Sequence, residues 1–165
     1  MDPTDVADAL GRARPVSRWR MEVTERPDGV TVVNDAYNAN PESMRAALKA
    51  LVAMGRGRRT WAVLGEMLEL GADSVAEHDA IGRMAVRLDV SRLVAVGDGA
   101  RALHTGAVME GSWGEESVHV ADLDAAYQLL QRELREGDVV LFKSSRDAGL
   151  RTLGDRLARG GEVRA

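Results

Sequence analysis

Two periodicities alternate along the chain, and this limits its fold more than any other feature. Four short runs, Trp61-Ala62-Val63-Leu64, Leu93-Val94-Ala95-Val96, Val118-His119-Val120 and Val139-Val140-Leu141-Phe142, are apolar almost without interruption. A strand with no polar alternation has no face to give to water, so these runs fit strands covered on both sides. Between them apolar residues recur at helical spacing: Met44, Ala47, Leu48 and Leu51, then Ile81, Met84, Ala85 and Leu88, then Leu123, Ala126, Tyr127, Leu130 and Leu134, and last Leu150, Leu153 and Leu157. A weaker helix is expected near Ala100–Glu110. Helix starts are marked by Asn40-Pro41, by Ser74-x-x-Glu77 in the form of a capping box, and by Asp122. Upstream, Trp19–Glu25 and Val30–Asn34 flank Arg26-Pro27-Asp28-Gly29, whose Asp-Gly pair predicts a β-hairpin. Strands joined in order by helices give an α/β fold: a three-layer domain with a mostly parallel sheet plus an N-terminal β-hairpin.

At 165 residues the chain holds one core of ordinary size, given a prior of about 150 residues per domain. Residues 4–14 read as a short helix capped by Thr4 and ended by Pro15. A formal net charge of −4 argues against a basic nucleic-acid-binding face. No run approaches the roughly 20 apolar residues of a membrane span, and the first residues lack the pattern of a signal peptide, so cytoplasmic residence is expected. With no cysteine, disulfides, thiolate nucleophiles and Cys-based zinc sites are excluded. Of 22 basic residues only Lys49 and Lys143 are lysines, which directs attention to where those two sit.

Ligands of parallel α/β sheets bind beyond the carboxyl ends of the strands, so the loops leaving each strand carry the chemistry. The first, Asn34-Asp35-Ala36-Tyr37-Asn38-Ala39-Asn40-Pro41, combines an acid suited to ribose hydroxyls with amides that both donate and accept. Asn40 suits a helix cap equally well. The second, Leu64-Gly65-Glu66-Met67-Leu68-Glu69-Leu70-Gly71, offers Glu66 to Mg²⁺ or a substrate ammonium, whereas Glu69 reads as a solvated loop charge. His78, on the next helix, shares a face with Ile81 and Ala85, where a packed histidine is the commoner outcome. Val96-Gly97-Asp98-Gly99 lacks the remainder of a dinucleotide fingerprint and reads as a tight turn. The last, Phe142-Lys143-Ser144-Ser145-Arg146, sets two cations and two hydroxyls at a helix start, a combination suited to an anion. G-x-x-x-x-G-K-[ST], the phosphate-cradling loop of self-sufficient ATPases, is missing.

The runs Asp35-Ala36-Tyr37-Asn38-Ala39-Asn40-Pro41-Glu42-Ser43-Met44, Leu64–Gly71 with His78 downstream, and Phe142–Arg146 together resemble the C-terminal domain of the Mur ligases, in the branch that adds D-alanyl-D-alanine. The resemblance extends from about Val16 to Leu157. It implies a Rossmann-like domain of a larger peptidoglycan-synthesis enzyme, partnered by its own N-terminal and central domains, the central one carrying the phosphate loop. It implies ATP and Mg²⁺ as cofactors, the metal held mostly by the central domain. The substrates would be UDP-N-acetylmuramoyl-tripeptide, activated as an acyl phosphate, and D-alanyl-D-alanine, whose amine attacks it.

Residue by residue, the resemblance implies that Arg18 reaches ATP and Asp35 the ribose, with Asn38 and Asn40 as nucleotide neighbours. Lys143 and Arg146 become the catalytic cations, facing the dipeptide carboxylate or the acyl phosphate beside Ser145. Glu66 and His78 join Ser145 as substrate-binding residues, and no metal ligand is assigned. Two positions depart from the family pattern: Ser17 stands where glycine is usual, leaving Arg20 as a rival to Arg18, and Ser144 replaces the glycine of Lys-Gly-Ser-Arg. Residues 1–14 then fit the tail of the preceding ATPase domain, 15–160 the C-terminal domain and 161–165 a disordered tail, a piece not expected to ligate alone. The alternatives are a free-standing α/β nucleotide- or anion-binding module, or a folylpolyglutamate-type ligase, which the Asn-Ala-Asn-Pro loop disfavours.

Overall fold

The structure, a computed structural model, describes residues 18–112 and 114–160. The expected helix at 4–14, the departure from the family pattern at Ser17 and the tail at 161–165 lie outside the described residues. The elements are β1 (Glu22–Glu25), β2 (Thr31–Asn34), α1 (Pro41–Met54), β3 (Thr60–Leu64), α2 (Ser74–Arg87), β4 (Arg92–Val96), α3 (Arg101–Met109), β5 (Ser117–Val120), α4 (Leu123–Glu133), β6 (Val139–Lys143) and α5 (Leu150–Arg159). The strands form one sheet in the order β1-β2-β6-β3-β4-β5, with β1 antiparallel to β2 and every other pairing parallel. The α/β domain with an N-terminal hairpin expected from the periodicities is therefore the one observed.

Crossover direction decides which face each helix covers. From β2 through β3 and β4 to β5 the chain moves toward one edge, and right-handed crossovers put α1, α2 and α3 on one face. The return from β5 to β6 runs the other way, so α4 lies on the opposite face, where α5 joins it. Strand residues alternate between the two cores. Val33, Ala62, Leu64, Leu93, Ala95, Val139 and Leu141 pack beneath α1, α2 and α3, while Val32, Trp61, Val63, Val94, Val140 and Phe142 meet α4 and α5. Helices α2 and α3 cross at Gly82 and Gly106, where a Cβ on Gly82 would stand 1.9 Å from the Leu103 carbonyl oxygen and one on Gly106 2.2 Å from that of Asp79.

Two boundaries differ from those expected. The first strand starts at Glu22 rather than Trp19, because Trp19 and Met21 take positive φ (63° and 45°) and turn the chain before it can pair. Ser74 and Glu77 form no capping box. A 3₁₀ turn at Gly71–Asp73 leads into α2, so Ser74 is already helical and Glu77 pairs instead with Arg45 at 3.2 Å.

Candidate functional site

The loop after β2 is fastened at both ends before it reaches solvent. The Asp35 N–H continues the ladder to the Phe142 carbonyl (2.9 Å), and the Tyr37 N–H donates to the Trp19 carbonyl (3.0 Å). At its far end Asn40 caps α1 reciprocally with Ser43: Oδ1 accepts from the Ser43 N–H (2.8 Å), and the Ser43 hydroxyl accepts from the Asn40 N–H (3.0 Å). Between these anchors and the first turns of α1 lies a cleft of about 480 Å³, lined by Arg20, Asp35, Tyr37, Asn38, Asn40 and Lys143 among others. That volume falls within the range of small-molecule sites. Arg20 lies over the Tyr37 ring, 4.3 Å from its centroid, and gives the cleft a flat cationic wall.

Of the residues expected at the nucleotide, Asp35, Asn38 and Asn40 share this cleft and Arg18 does not. Arg18 pairs with Asp155 of α5 at 3.2 Å and lies against Trp19, whose indole N–H also donates to Asp155 (2.8 Å). The positive φ values at Trp19 and Met21 turn successive arginines to different sides of the sheet edge, and the one beside Asp35 is Arg20.

Lys143 extends the parity of Val139 and Leu141 and so points toward α1, with its side chain only 4% exposed. Its ammonium donates to the Asp35 carboxylate (2.8 Å), the Asp35 carbonyl (3.3 Å) and the Asn38 carbonyl (3.1 Å). An ammonium has three protons, and all three have acceptors in the Asp35–Asn38 loop. The Lys143 ammonium is thus turned to the Asp35–Asn38 loop, with the Asp35 carboxylate as its anionic partner. Arg146 is exposed at the next turn, and among the described residues no carboxylate pairs with its guanidinium.

On the other side of β6, the loop after β3 is held by Ser145 and His78. The Ser145 N–H donates to the Glu66 carbonyl (2.9 Å), while its hydroxyl accepts from the Leu68 N–H (2.8 Å) and reaches the Ala39 carbonyl (3.4 Å). His78 is 1% exposed; its Nε2 accepts from the Met67 N–H (2.9 Å), which leaves the proton on Nδ1, 2.6 Å from the Ser74 carbonyl. Both side chains, expected to touch substrate, spend their polar atoms on backbone. Glu66 is half-buried beside a second cleft of about 450 Å³ that it lines with Val75, Gly99 and Arg101. The space for its carboxylate exists because residue 99 is glycine, since a Cβ there would lie 2.2 Å from the Glu66 Cδ. Among the described residues no three His, Asp or Glu side chains gather, so these residues supply no complete cage for Mg²⁺.

Sequence reasoning left Arg20 as a rival without seeing its platform, Tyr37, because the turn that sorts the two arginines has no glycine to signal it. It also missed Ser43, which closes the cap from N3, a position where Glu or Gln is the usual signal.

A family model described as "Mur ligase, glutamate ligase domain" matches residues 19–146. The UDP-N-acetylmuramoyl-tripeptide–D-alanyl-D-alanine ligase of Mycobacterium leprae is 58% identical over 97% of this chain, which spans 34% of that enzyme. Among solved structures, MurF from Acinetobacter baumannii superposes with a TM-score of 0.77 at 28% identity, covering 96% of this chain and 34% of that one. MurF ligase from Thermotoga maritima in complex with ADP superposes at 0.72 and 25% identity, covering 98% and 37%. The chain thus spans about a third of the length of these relatives. Its sheet order, its strand-end loops and the family match over most of its length agree, and the chain belongs to the Mur ligase family.

Proposed function

We propose that this chain is the C-terminal third of an ATP-dependent ligase that joins D-alanyl-D-alanine to UDP-N-acetylmuramoyl-tripeptide in peptidoglycan synthesis. The observation that carries the reading is the convergence of Asp35, Asn38 and Asn40 with the Arg20–Tyr37 platform in one cleft at the carboxyl end of the sheet. The names of its relatives, one of them solved with ADP, support it. In this reading Asp35, which accepts from Lys143 and from the Met21 N–H, still has lone pairs for a ribose hydroxyl. Asn38 and Asn40 contribute amide groups to the same nucleotide.

The reaction has two steps. The tripeptide carboxylate takes the γ-phosphoryl group and ADP leaves; the dipeptide amine then adds to the acyl carbon, and phosphate leaves as the amide forms. Arg146 faces the negative charge of the acyl phosphate or of the dipeptide carboxylate, and Glu66 receives the dipeptide ammonium before it loses its proton. His78 and Ser145 act on substrate through the loops they hold. Mg²⁺ offsets phosphate charge when bound, and its ligands come mainly from the rest of the enzyme. Closing this domain over the nucleotide excludes water, which protects an acyl phosphate from hydrolysis. The chain alone supplies half a site, so ligation by these 165 residues without further domains would contradict the reading.

Paired substitutions in the full-length ligase test the nucleotide cleft. Loss of a charged contact worth about 1.5–3 kcal/mol should raise the KM for ATP about 10- to 100-fold in Arg20→Ala. Arg18→Ala, which loses a pair with Asp155, should stay within about twofold. The opposite pattern returns the nucleotide role to Arg18, and wild-type KM in Arg20→Ala, Arg18→Ala and Asp35→Ala alike overturns the cleft as the nucleotide site.

A further inference from the structure

We infer that Lys143 is a positioning residue: it latches the Asp35–Asn38 loop to the end of β6 and thereby sets the wall of the nucleotide cleft, instead of meeting an anion. The geometry is specific. One buried ammonium takes three acceptors from a single four-residue stretch, two of them main-chain carbonyls. The Asp35 carboxylate passes the constraint on, because its second oxygen accepts from the Met21 N–H (3.0 Å), next to Arg20 on its Tyr37 platform. Lys143 thus connects β6 through Asp35 to the segment that carries Arg20. The latch also explains why lysine persists here in a chain that uses arginine for 20 of its 22 basic residues, two being Lys49 and Lys143. A compact ammonium can point its protons at three acceptors gathered around one point. A planar guanidinium cannot, and its greater bulk does not fit a side-chain site 4% exposed. An anion receptor would have the opposite preference, since arginine binds phosphate and carboxylate at least as well.

The inference rests on the nucleotide reading of the cleft for its functional consequence but not for the latch itself, so two measurements are paired. In this chain, Lys143→Met and Lys143→Arg should each speed hydrogen exchange of the Asp35–Asn38 amides by about tenfold or more, while β4 and α3 exchange as in the wild type. In the full-length ligase both should raise the KM for ATP about tenfold, leaving kcat and the KM for D-alanyl-D-alanine within about twofold. Wild-type exchange and kinetics in Lys143→Arg would overturn the latch, as would a Lys143→Met enzyme with reduced kcat and unchanged KM for ATP. Should Lys143→Met fail to fold, Asp35→Asn removes only the charged acceptor and must loosen the same amides; wild-type exchange in that variant also overturns the latch. A loosened loop with both kcat and the KM for ATP unmoved upholds the latch and counts against the nucleotide reading alone.

Discussion

Replacing His78 by alanine separates a packed histidine from a substrate contact. The imidazole is 1% exposed and bonded at both nitrogens, to the Met67 N–H and the Ser74 carbonyl. Met67 is itself buried, so its N–H would be left without an acceptor, which costs about 1–3 kcal/mol. The vacated ring volume between α2 and the loop after β3 adds about 2 kcal/mol, the low end for a buried side chain cut to alanine. A total near 3 kcal/mol is a large share of the roughly 5–15 kcal/mol that keeps a domain folded. With a urea slope of about 2 kcal/mol per molar, the midpoint of His78→Ala should fall by about 1.5 M with the slope unchanged. Urea titration of the chain followed by circular dichroism measures this directly. A midpoint within about 0.3 M of the wild type would refute the packing account, because an unpaired buried N–H and an empty ring site cannot cost so little.

Further outcomes follow from the same geometry. Gly82→Ala drives a Cβ into the Leu103 carbonyl, and the α2–α3 crossing can relieve it only by separating; a loss of about 3 kcal/mol should lower Tm by about 6–12 °C, and calorimetry showing no shift would contradict the close approach. Burial, and then the neighbouring His119, hold the His104 imidazole below its ordinary value of 6.5. Below that value the unfolded chain takes up a proton that the folded chain resists, so His104 should cost stability progressively as pH falls from about 6.5. His104→Gln, whose amide can still meet the Ser117 hydroxyl now 2.7 Å from Nδ1, should flatten the acid limb of a stability–pH profile; an unchanged limb would contradict the assignment.

The fold was legible because its signals are redundant. Each apolar run from Trp61 to Phe142 became a strand, and each helical stripe met one of the two cores. That Asp35, Asn38 and Asn40 share one cleft was legible because they lie close in sequence on one strand-end loop, where parallel sheets place their clefts. Less legible was which polar atoms the fold itself consumes. Lys143, Ser145 and His78 have the chemistry of ligand-binding groups, yet their partners lie 105, 77 and 11 residues away and cannot be inferred from local spacing. The two arginines were ambiguous for a different reason. Left-handed backbone at a tryptophan and a methionine, which no propensity anticipates, decides which of them faces the cleft.

In the proposed function the Asp35–Asn40 loop is where this domain meets the nucleotide. A structure of the full-length ligase with ADP tests it most directly. A ribose hydroxyl is expected within hydrogen-bond reach of the Asp35 carboxylate, about 2.5–3.0 Å, with the Arg20–Tyr37 platform beside the nucleoside and Lys143 still bound to Asp35 and Asn38. ADP contacting this domain only through the second cleft, beside Glu66 and Arg101, or Lys143 released to a phosphate, would contradict it.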